Sequence, residues 1–292
     1  MSIKNVLFFF IIGLNLSCEF KVENNTKEIK DAELVQNGLF CDGVELSVDD
    51  KPYRQNNFII GQEIDFKFVN LKRKDNSRQR MNLKVSFFVL KDGIDTVKSY
   101  SFPIDNQKEM SKNELLNHSV YFNNIMPISD SLDHKLFVLF EEQGTKNWLS
   151  YKLPFKTLPN KYQKIVQNGL YCDYTYLFDR DLNFVLTKSH YDGNGSLWFV
   201  IGGLNGLEEG EGVVFPSLEI LVMDVNNNIL YENNDHFEKM SKGVSKEELR
   251  KPFGVELKLK TFPKGGRLKI VANLKDNKSN KSLIVNSEIL VD

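Results

Sequence analysis

Cysteine and histidine are scarce in this sequence, which has three cysteines and four histidines in 292 residues. No histidine is followed by a second histidine or a cysteine at the spacing that zinc sites use. We therefore expect no metal and no cofactor, and we expect the histidines to be single surface or strand-end residues. They are His118, His134, His190 and His236.

An excess of one charge sign is also missing, because 38 Lys and Arg face 39 Asp and Glu and leave a formal net charge of −1. Such a chain has no long-range field to attract nucleic acid or an anionic membrane surface. Basic residues cluster only at Lys72-Arg73-Lys74, Arg78 and Arg80. We interpret this cluster as a solvated loop and expect no nucleic-acid partner.

Local catalytic motifs are absent, since the sequence has neither Gly-x-Ser-x-Gly nor His-Glu-x-x-His. The glycine-rich stretch 202–212 lacks the Lys-Ser/Thr pair of a phosphate loop and carries three glutamates. It is predicted to be a flexible acidic loop that connects strands. We expect no enzyme and no catalytic residues, although a hydrolase with paired carboxylates from distant strands would leave no local pattern.

Calcium is the one metal ion for which oxygen ligands are available, in the loops around residues 179–194. The alternative is a plain turn at Asp192-Gly193-Asn194-Gly195, and no twelve-residue loop with a closing Glu is present. We favour the turn. The oxygens in question belong to Asp179, Asp181, Asp192 and Asn194.

Long hydrophobic runs are missing except at Val6–Leu14, which follows Lys4 and is too short to span a bilayer. This length and the preceding charge are typical of a signal peptide, predicted over residues 1–17. Leu14-Asn15-Leu16-Ser17-Cys18 resembles the bacterial lipobox, which makes Cys18 the predicted lipidation site. Asn15 departs from the aliphatic residue of that motif, so an ordinary signal peptidase is the alternative. Residues 18–34 are predicted to be a solvated tether, partly helical from Lys27 to Leu34.

A long internal repeat organises the rest of the chain. Val35-Gln36-Asn37-Gly38-Leu39-Phe40-Cys41-Asp42 returns 131 residues later as Val166-Gln167-Asn168-Gly169-Leu170-Tyr171-Cys172-Asp173. Two copies of this length are domains and not solenoid units. We place the first repeat at 35–158 and the second at 159–292, with Pro159 at the boundary because proline cannot continue a strand ladder.

Both copies carry the period-two alternation of half-buried strands, as at Val85, Phe87 and Val89. Seven short strands in each copy predict an all-β chain of two tandem antiparallel sandwiches, Ig-like or C2-like. Helical signal is thin and is best at Ser245, which has capping-box spacing to Glu248. Each copy holds one cysteine near its first strand, so we expect Cys41 and Cys172 to remain unpaired, buried thiols.

The motif Asn-Gly-Leu-[Phe/Tyr]-Cys-Asp at the start of a duplicated strand-rich unit, behind a lipoprotein leader, resembles the tandem β-sandwich lipoproteins of Bacteroidetes-type bacteria. In the second copy, Gly206-Leu207 and Val214-Phe215-Pro216, before a strand that ends in Asp224, are similar to that group as well. The resemblance implies an envelope location and a β-sandwich. It implies no activity and no catalytic residues.

These observations favour a membrane-anchored envelope lipoprotein, on the outer membrane, with a non-catalytic binding or structural role. The alternative is an envelope-assembly accessory protein. The expected partners are the membrane, through the lipid, and an envelope protein or glycan. The expected binding residues are Tyr174, Tyr176 and Phe178, which alternate along one strand and so share a face. The other interpretation of this aromatic stripe is packing against the first repeat.

Overall fold

The computed structural model describes residues 29–74, 81–104, 117–193, 195–258 and 265–292. Cys18, the leader, most of the predicted tether and Asn194 lie outside these residues. Within the described ranges the chain is almost entirely β-strand, which confirms the all-β prediction. No helix there is both long and apolar enough to cross a membrane.

The described residues of the first repeat form twelve strands. They are β1 Glu33–Asn37, β2 Leu39–Phe40, β3 Gly43–Val48, β4 Lys51–Pro52, β5 Asn57–Ile59, β6 Glu63–Val69, β7 Lys72–Arg73, β8 Leu83–Lys91, β9 Asp95–Ile104, β10 Asn117–Asn123, β11 His134–Glu142 and β12 Trp148–Leu158.

In the part of the second repeat that the structure describes, there are ten strands and a short helix. They are β13 Gln163–Asn168, β14 Tyr174–Asp179, β15 Phe184–Val185, β16 His190–Tyr191, β17 Leu197–Gly202, β18 Pro216–Met223, β19 Ile229–Asn233, α1 Lys246–Arg250, β20 Phe253–Glu256, β21 Arg267–Asp276 and β22 Ser282–Val291.

The two larger sheets of each repeat have the same topology, and the described part of the first repeat also has a two-stranded sheet, β2-β7. In the first, one sheet has the order β1-β12-β11-β8-β9 with β5 beside β12, and the other has the order β10-β6-β3-β4. In the second, the orders are β13-β22-β21-β18-β19 with β16 beside β22, and β20-β17-β14-β15. Neighbouring strands are antiparallel except that β5 runs parallel to β12 and β16 parallel to β22. In the described part of the chain, no sheet takes strands from both sides of residues 159–162.

Alternate residues of the long strands are buried between the two sheets of each repeat. In β8 the buried side chains are Leu83, Val85, Phe87 and Val89, and the residues between them are partly exposed. Each repeat has its own apolar core, and burial of one such side chain stabilises the fold by about 1.5–3 kcal/mol. The pattern is that of a β-sandwich, as predicted.

The repeated motif marks the point where the first strand leaves its sheet. Gly38 and Gly169 have φ of +76° and +74°, in the left-handed region that favours glycine. The following leucines, Leu39 and Leu170, are completely buried. Just before them, the Asn37 side chain donates to Lys146 O at 3.4 Å, and its counterpart Asn168 donates to Asn280 O at 3.3 Å. The motif was retained in both copies for a structural reason.

The predicted tether is wrong at its C-terminal end. Ile29 is only 7% exposed and belongs to the first core, and β1 begins at Glu33 and pairs with β12. Of the helix predicted from Lys27 to Leu34, the described residues 29–34 are not helical; they form a turn and then the start of β1, where pairing with β12 outweighs the local helical signal. The first repeat includes residues from Ile29 onward.

Both described cysteines are free thiols, Cys41 buried and Cys172 half-buried. Burial raises the pKa of Cys41 to about 11 and that of Cys172 to about 12. Since the thiolate is the reactive form, both groups are unreactive near neutral pH.

Candidate functional site

The predicted aromatic stripe lies between the two repeats. Tyr174, Tyr176 and Phe178 follow one another on β14, with ring centroids 5.9 and 6.5 Å apart. Tyr176 is only 9% exposed and forms an apolar cluster with Val185, Val200 and Ile60, the last from the first repeat. The expectation of a stripe that faces a partner is thus corrected, because this face of β14 packs against the first repeat.

Further contacts join the two repeats around the stripe. Ile125 of the first repeat packs against the same cluster, together with Trp198 of the second. The Ile128 amide donates to Asp173 O at 2.7 Å. In the linker, the buried Asn160 side chain donates to Leu186 O at 2.6 Å. The stripe is therefore part of an interface with both apolar and hydrogen-bonded contacts, which we call the junction.

The acidic side chains considered for calcium organise a turn. Asp179 is fully buried, and its Oδ1 accepts hydrogen bonds from the amides of Asp181 and Leu182, both at 3.0 Å. Asp181 Oδ2 accepts from the Ser196 amide at 2.7 Å. In the described part of the chain, no group of three or more His, Cys, Asp or Glu side chains is placed to hold a metal ion.

Two other buried carboxylates also hold loops in place. Glu142 accepts from Arg73 Nε at 2.7 Å and from Asn147 Nδ2 at 2.8 Å. In the second repeat, Asp276 occupies the corresponding strand end and accepts from the Glu208 amide at 2.9 Å. Both carboxylates have a structural role, and each is at the end of the strand that precedes the final hairpin turn.

The glycine-rich stretch 202–212 is anchored, which corrects the prediction of a flexible loop. Leu204 and Leu207 are buried in the second core, at 2% and 7% exposure. Asn205 exchanges two backbone hydrogen bonds with Tyr171, at 2.9 and 3.0 Å. At the acidic end, Glu209 pairs with Lys246 at 2.5 Å. The buried leucines fix this stretch in place although its glycine content favours flexibility.

The histidines divide into buried and exposed residues. His134 is completely buried and stacks on Phe155, with centroids 5.2 Å apart. Burial lowers the pKa of His118, His134 and His236. His190 is at a strand end and lies 3.0 Å from Asp292, as expected of a surface histidine. His134 is fully buried and not a surface residue, but it begins β11, so it fits the strand-end part of the expectation.

A cleft of about 430 Å³ lies in the second repeat. It lies on the outer face of the larger sheet, where the linker meets β13 and the last two strands. Ten residues line it: Lys161, Tyr162, Gln163, Lys164, Ser189, Arg267, Asn286, Glu288, Ile289 and Leu290. This volume is within the range of small-molecule sites. We call it the linker cleft.

Positive charge predominates in the linker cleft. Three cations line it against one carboxylate, Glu288, which lies 3.5 Å from Arg267. Across the described ranges, no acidic side chain lies within 4.0 Å of the amino group of Lys161 or Lys164. The cleft thus offers two uncompensated ammonium groups, an arginine and several neutral polar groups. Sequence reasoning missed these residues, which come from the linker, the residue before β16, and strands β13, β21 and β22.

No protein-family model and no curated protein matches the sequence. Among solved structures, a β-D-glucuronidase from Dictyoglomus thermophilum is 12% identical, with a TM-score of 0.22 over 90% of this chain and 44% of its own. A protein described as a β-galactosidase from Bacteroides fragilis is 11% identical, with a TM-score of 0.27 over 89% of this chain and 41% of its own. The structure of pT26-6p is 9% identical, with a TM-score of 0.22 over 89% and 63%.

This chain spans less than half the length of the first two structures and less than two thirds of the third. TM-scores at this level carry no argument about fold or function. The structure itself defines the class of protein. It is a duplicated all-β chain of two sandwiches, with a cationic cleft beside the linker between them.

Proposed function

We propose that this protein is an exported, lipid-anchored protein of the bacterial envelope that acts by non-catalytic binding, and that the linker cleft holds its ligand. The observation that carries the binding role is the cleft itself. It combines a volume of about 430 Å³, within the range of small-molecule sites, with three cations, one carboxylate, neutral hydrogen-bonding groups and the apolar side chains of Ile289 and Leu290.

The anchor is supported by the sequence alone. The short apolar run at Val6–Leu14 is followed by Ser17 and Cys18, and Cys18 has no counterpart in either repeat. An acylated Cys18 would hold the protein at a membrane surface, since more than one acyl chain makes anchoring stable.

The anchor is tested by metabolic labelling with a palmitate analogue. We expect label on the wild-type chain and none on Cys18→Ser, with both chains exported to the same level. Equal labelling of the two chains would remove Cys18 as the lipidation site.

The binding role is tested by blocking the cleft. Ser189 is half-buried at its wall, so Ser189→Trp fills the cleft from an existing position. Wild-type and variant chains of residues 19–292 are incubated with envelope extract and measured by native mass spectrometry. We expect a bound species on the wild type that is missing from Ser189→Trp. A matched control is Ser99→Trp, an exposed position on β9 of the first repeat. Recovery of the same species on all three chains, or on none, would overturn the binding role of the cleft.

A further inference from the structure

The duplication provides an internal reference for the linker cleft, because strand register identifies the same positions in the first repeat. Asn37 pairs with Trp148 in the first repeat, and Asn168 pairs with Ser282 in the second. The residues of β13 therefore correspond to those 131 positions earlier, and the residues of β22 to those 134 positions earlier. Register also places Arg267 opposite Leu290, so its counterpart is the residue that precedes His134.

The charges at these corresponding positions differ between the copies. Lys164 replaces Glu33, and Arg267 replaces Asp133, so two acidic positions of the first repeat are basic in the second. The remaining counterparts change less uniformly. Lys161 corresponds to Lys30, Tyr162 to Asp31, Asn286 to Lys152, Glu288 to Pro154 and Leu290 to Lys156.

The balance of charge follows from these pairs. The first repeat has three cations and three anions at these positions, and Glu33 and Lys152 form an ion pair at 3.1 Å. The second repeat has three cations and one anion. At corresponding positions, one copy thus has balanced charges and the other has an excess of positive charge. The fold therefore does not require this excess.

We propose that the linker cleft binds an anionic sugar, meaning a hydroxylated ring that carries a carboxylate or a phosphate. This inference rests on the proposed binding function and names the ligand class of the same site. Lys161 and Lys164 supply point charges to the anion, and Arg267 supplies a planar fork that can exchange Glu288 for a ligand carboxylate or phosphate. A neutral ligand would gain hydrogen bonds from these groups but no charge–charge attraction.

The other lining groups suit the hydroxylated part of such a ligand. Asn286 and Ser189 carry amide and hydroxyl groups at the cleft wall, and Glu288 accepts hydrogen bonds. Tyr162 adds a half-buried aromatic ring, over which the Lys161 ammonium lies 5.3 Å from the centroid. A cleft of about 430 Å³ is at the small end of ligand sites and accommodates one or two sugar rings rather than a long segment.

The test uses three defined probes on residues 19–292: glucuronate, glucose 6-phosphate and glucose, by isothermal titration calorimetry at low ionic strength. We expect at least one anionic probe to bind tenfold or more tightly than glucose. Binding should weaken as salt is raised, because exposed charges are screened over about 10 Å at 0.1 M salt. Glucuronate and glucose 6-phosphate separate the carboxylate from the phosphate as the preferred anion.

The variants use residues that the first repeat already carries at the corresponding positions. The double variant Lys164→Glu, Arg267→Asp has the charges that the first repeat carries at the same positions of the same fold. We expect its affinity for the anionic probe to be lower by tenfold or more. Lys164→Gln alone should also lower the affinity for the anionic probe, but by a smaller factor. The control is Lys275→Glu, an exposed position near the other end of β21, where we expect less than a twofold change. Circular dichroism of each variant checks that it is folded.

Three results would overturn the inference: no anionic probe binds, glucose binds as tightly as the anions, or the double variant binds like wild type. Its failure is distinguishable from failure of the proposed function. If Ser189→Trp still abolishes capture of an envelope species while the anionic probes fail, the cleft binds a ligand of another class. If that capture fails as well, the binding function is wrong too.

Discussion

At the scale of single residues, Glu142 and Arg73 form a buried ion pair whose loss should lower stability. Both side chains are largely buried, and Arg73 lies first among the groups that hold the pKa of Glu142 below its usual range. Removal of one partner leaves the other charge uncompensated, which costs about 3 kcal/mol or more at buried pairs. The pair fixes β7 and β2 to the end of β11.

We therefore expect Arg73→Met to lower the free energy of unfolding by about 3 kcal/mol at pH 7. Because the folded-state pKa of Glu142 is depressed, the pair's contribution is present above the unfolded pKa and is lost as pH falls through the folded pKa. Urea unfolding at pH 7 and at pH 3 measures both effects, and the difference between wild type and variant should shrink at pH 3. Lys84→Met removes an exposed pair with Glu141 and should cost less than about 1 kcal/mol. Equal losses for the two variants would contradict the assigned role.

His134 gives a second prediction at the scale of single residues. Here the folded state favours the neutral form of the side chain, whereas for Glu142 it favours the charged form. Among the described residues its ring nitrogens have no hydrogen-bond partner, although Nδ1 lies 3.1 Å from Asp133 Oδ1. Burial lowers its pKa most, Lys91 adds to this, and Asp133 and Asp92 oppose it. The folded state therefore favours the neutral ring, so its contribution to stability is full above the unfolded pKa and declines as pH falls below it.

His134→Leu removes this titration without leaving a donor or acceptor unpaired. We expect the loss of stability between pH 7 and pH 5 to be smaller in the variant than in wild type, as measured by chemical unfolding at each pH. His118 and His236 are unchanged in both chains, so the difference isolates His134. The exposed His190→Leu serves as the control, and a pH dependence identical in all three chains would remove His134 as its source.

At the scale of elements, loop 202–212 is tied to the repeated motif by a close backbone approach. Gly206 has φ of +95°, and a Cβ at this residue would lie 2.3 Å from the carbonyl oxygen of Gly169. Lys281 closes the same corner by donating to Gly206 O at 2.8 Å. The glycine is thus required both by its backbone conformation and by the lack of space.

Gly212 in the same loop separates these two causes, because its φ is +82° but no atom of the described residues lies within 4 Å of the place that a Cβ would take. We expect Gly212→Ala to lower the free energy of unfolding by about 1–2 kcal/mol, because of the backbone conformation alone. Gly206→Ala should cost clearly more, because the Gly169 carbonyl must also move. Thermal unfolding of both variants measures this, and a cost for Gly206→Ala no larger than that for Gly212→Ala would show that the approach is not tight.

The strands and the helix also show which parts of the fold could be predicted from the sequence. The long strands could be predicted because their alternate residues are buried, as in β8 and β22. Helix α1 could be predicted from its cap, since the Ser245 hydroxyl accepts from the Glu248 amide at 3.2 Å. Strands of two or three residues, such as β5 and β16, are too short for a period and depend on pairing with the last strand of each repeat. The linker cleft was out of reach for a similar reason, because the adjacency of Lys164 and Asn286 is set by strand register.

At the scale of the whole molecule, the two repeats contact each other through the junction. The aromatic face of the second repeat's four-stranded sheet is covered by Ile60 and Ile125 of the first. Sequence periodicity could show that these aromatic side chains share a face. It could not show whether that face contacts a partner or packs against the first repeat, because this depends on how the two domains are placed relative to each other. The interface separates only if Tyr176 and its neighbours become exposed to water.

We expect the wild-type chain of residues 19–292 to unfold in one calorimetric transition. Ile60 is completely buried and contacts the second repeat's cluster, so Ile60→Glu places a charge in the junction without changing either sandwich core. This variant should show two transitions and early trypsin cleavage at Lys161 in the linker. Ile229→Glu, a matched change at an exposed position on β19, should behave like wild type. Two separate transitions in the wild type, or a single unshifted transition in Ile60→Glu, would show that the aromatic stripe does not couple the repeats.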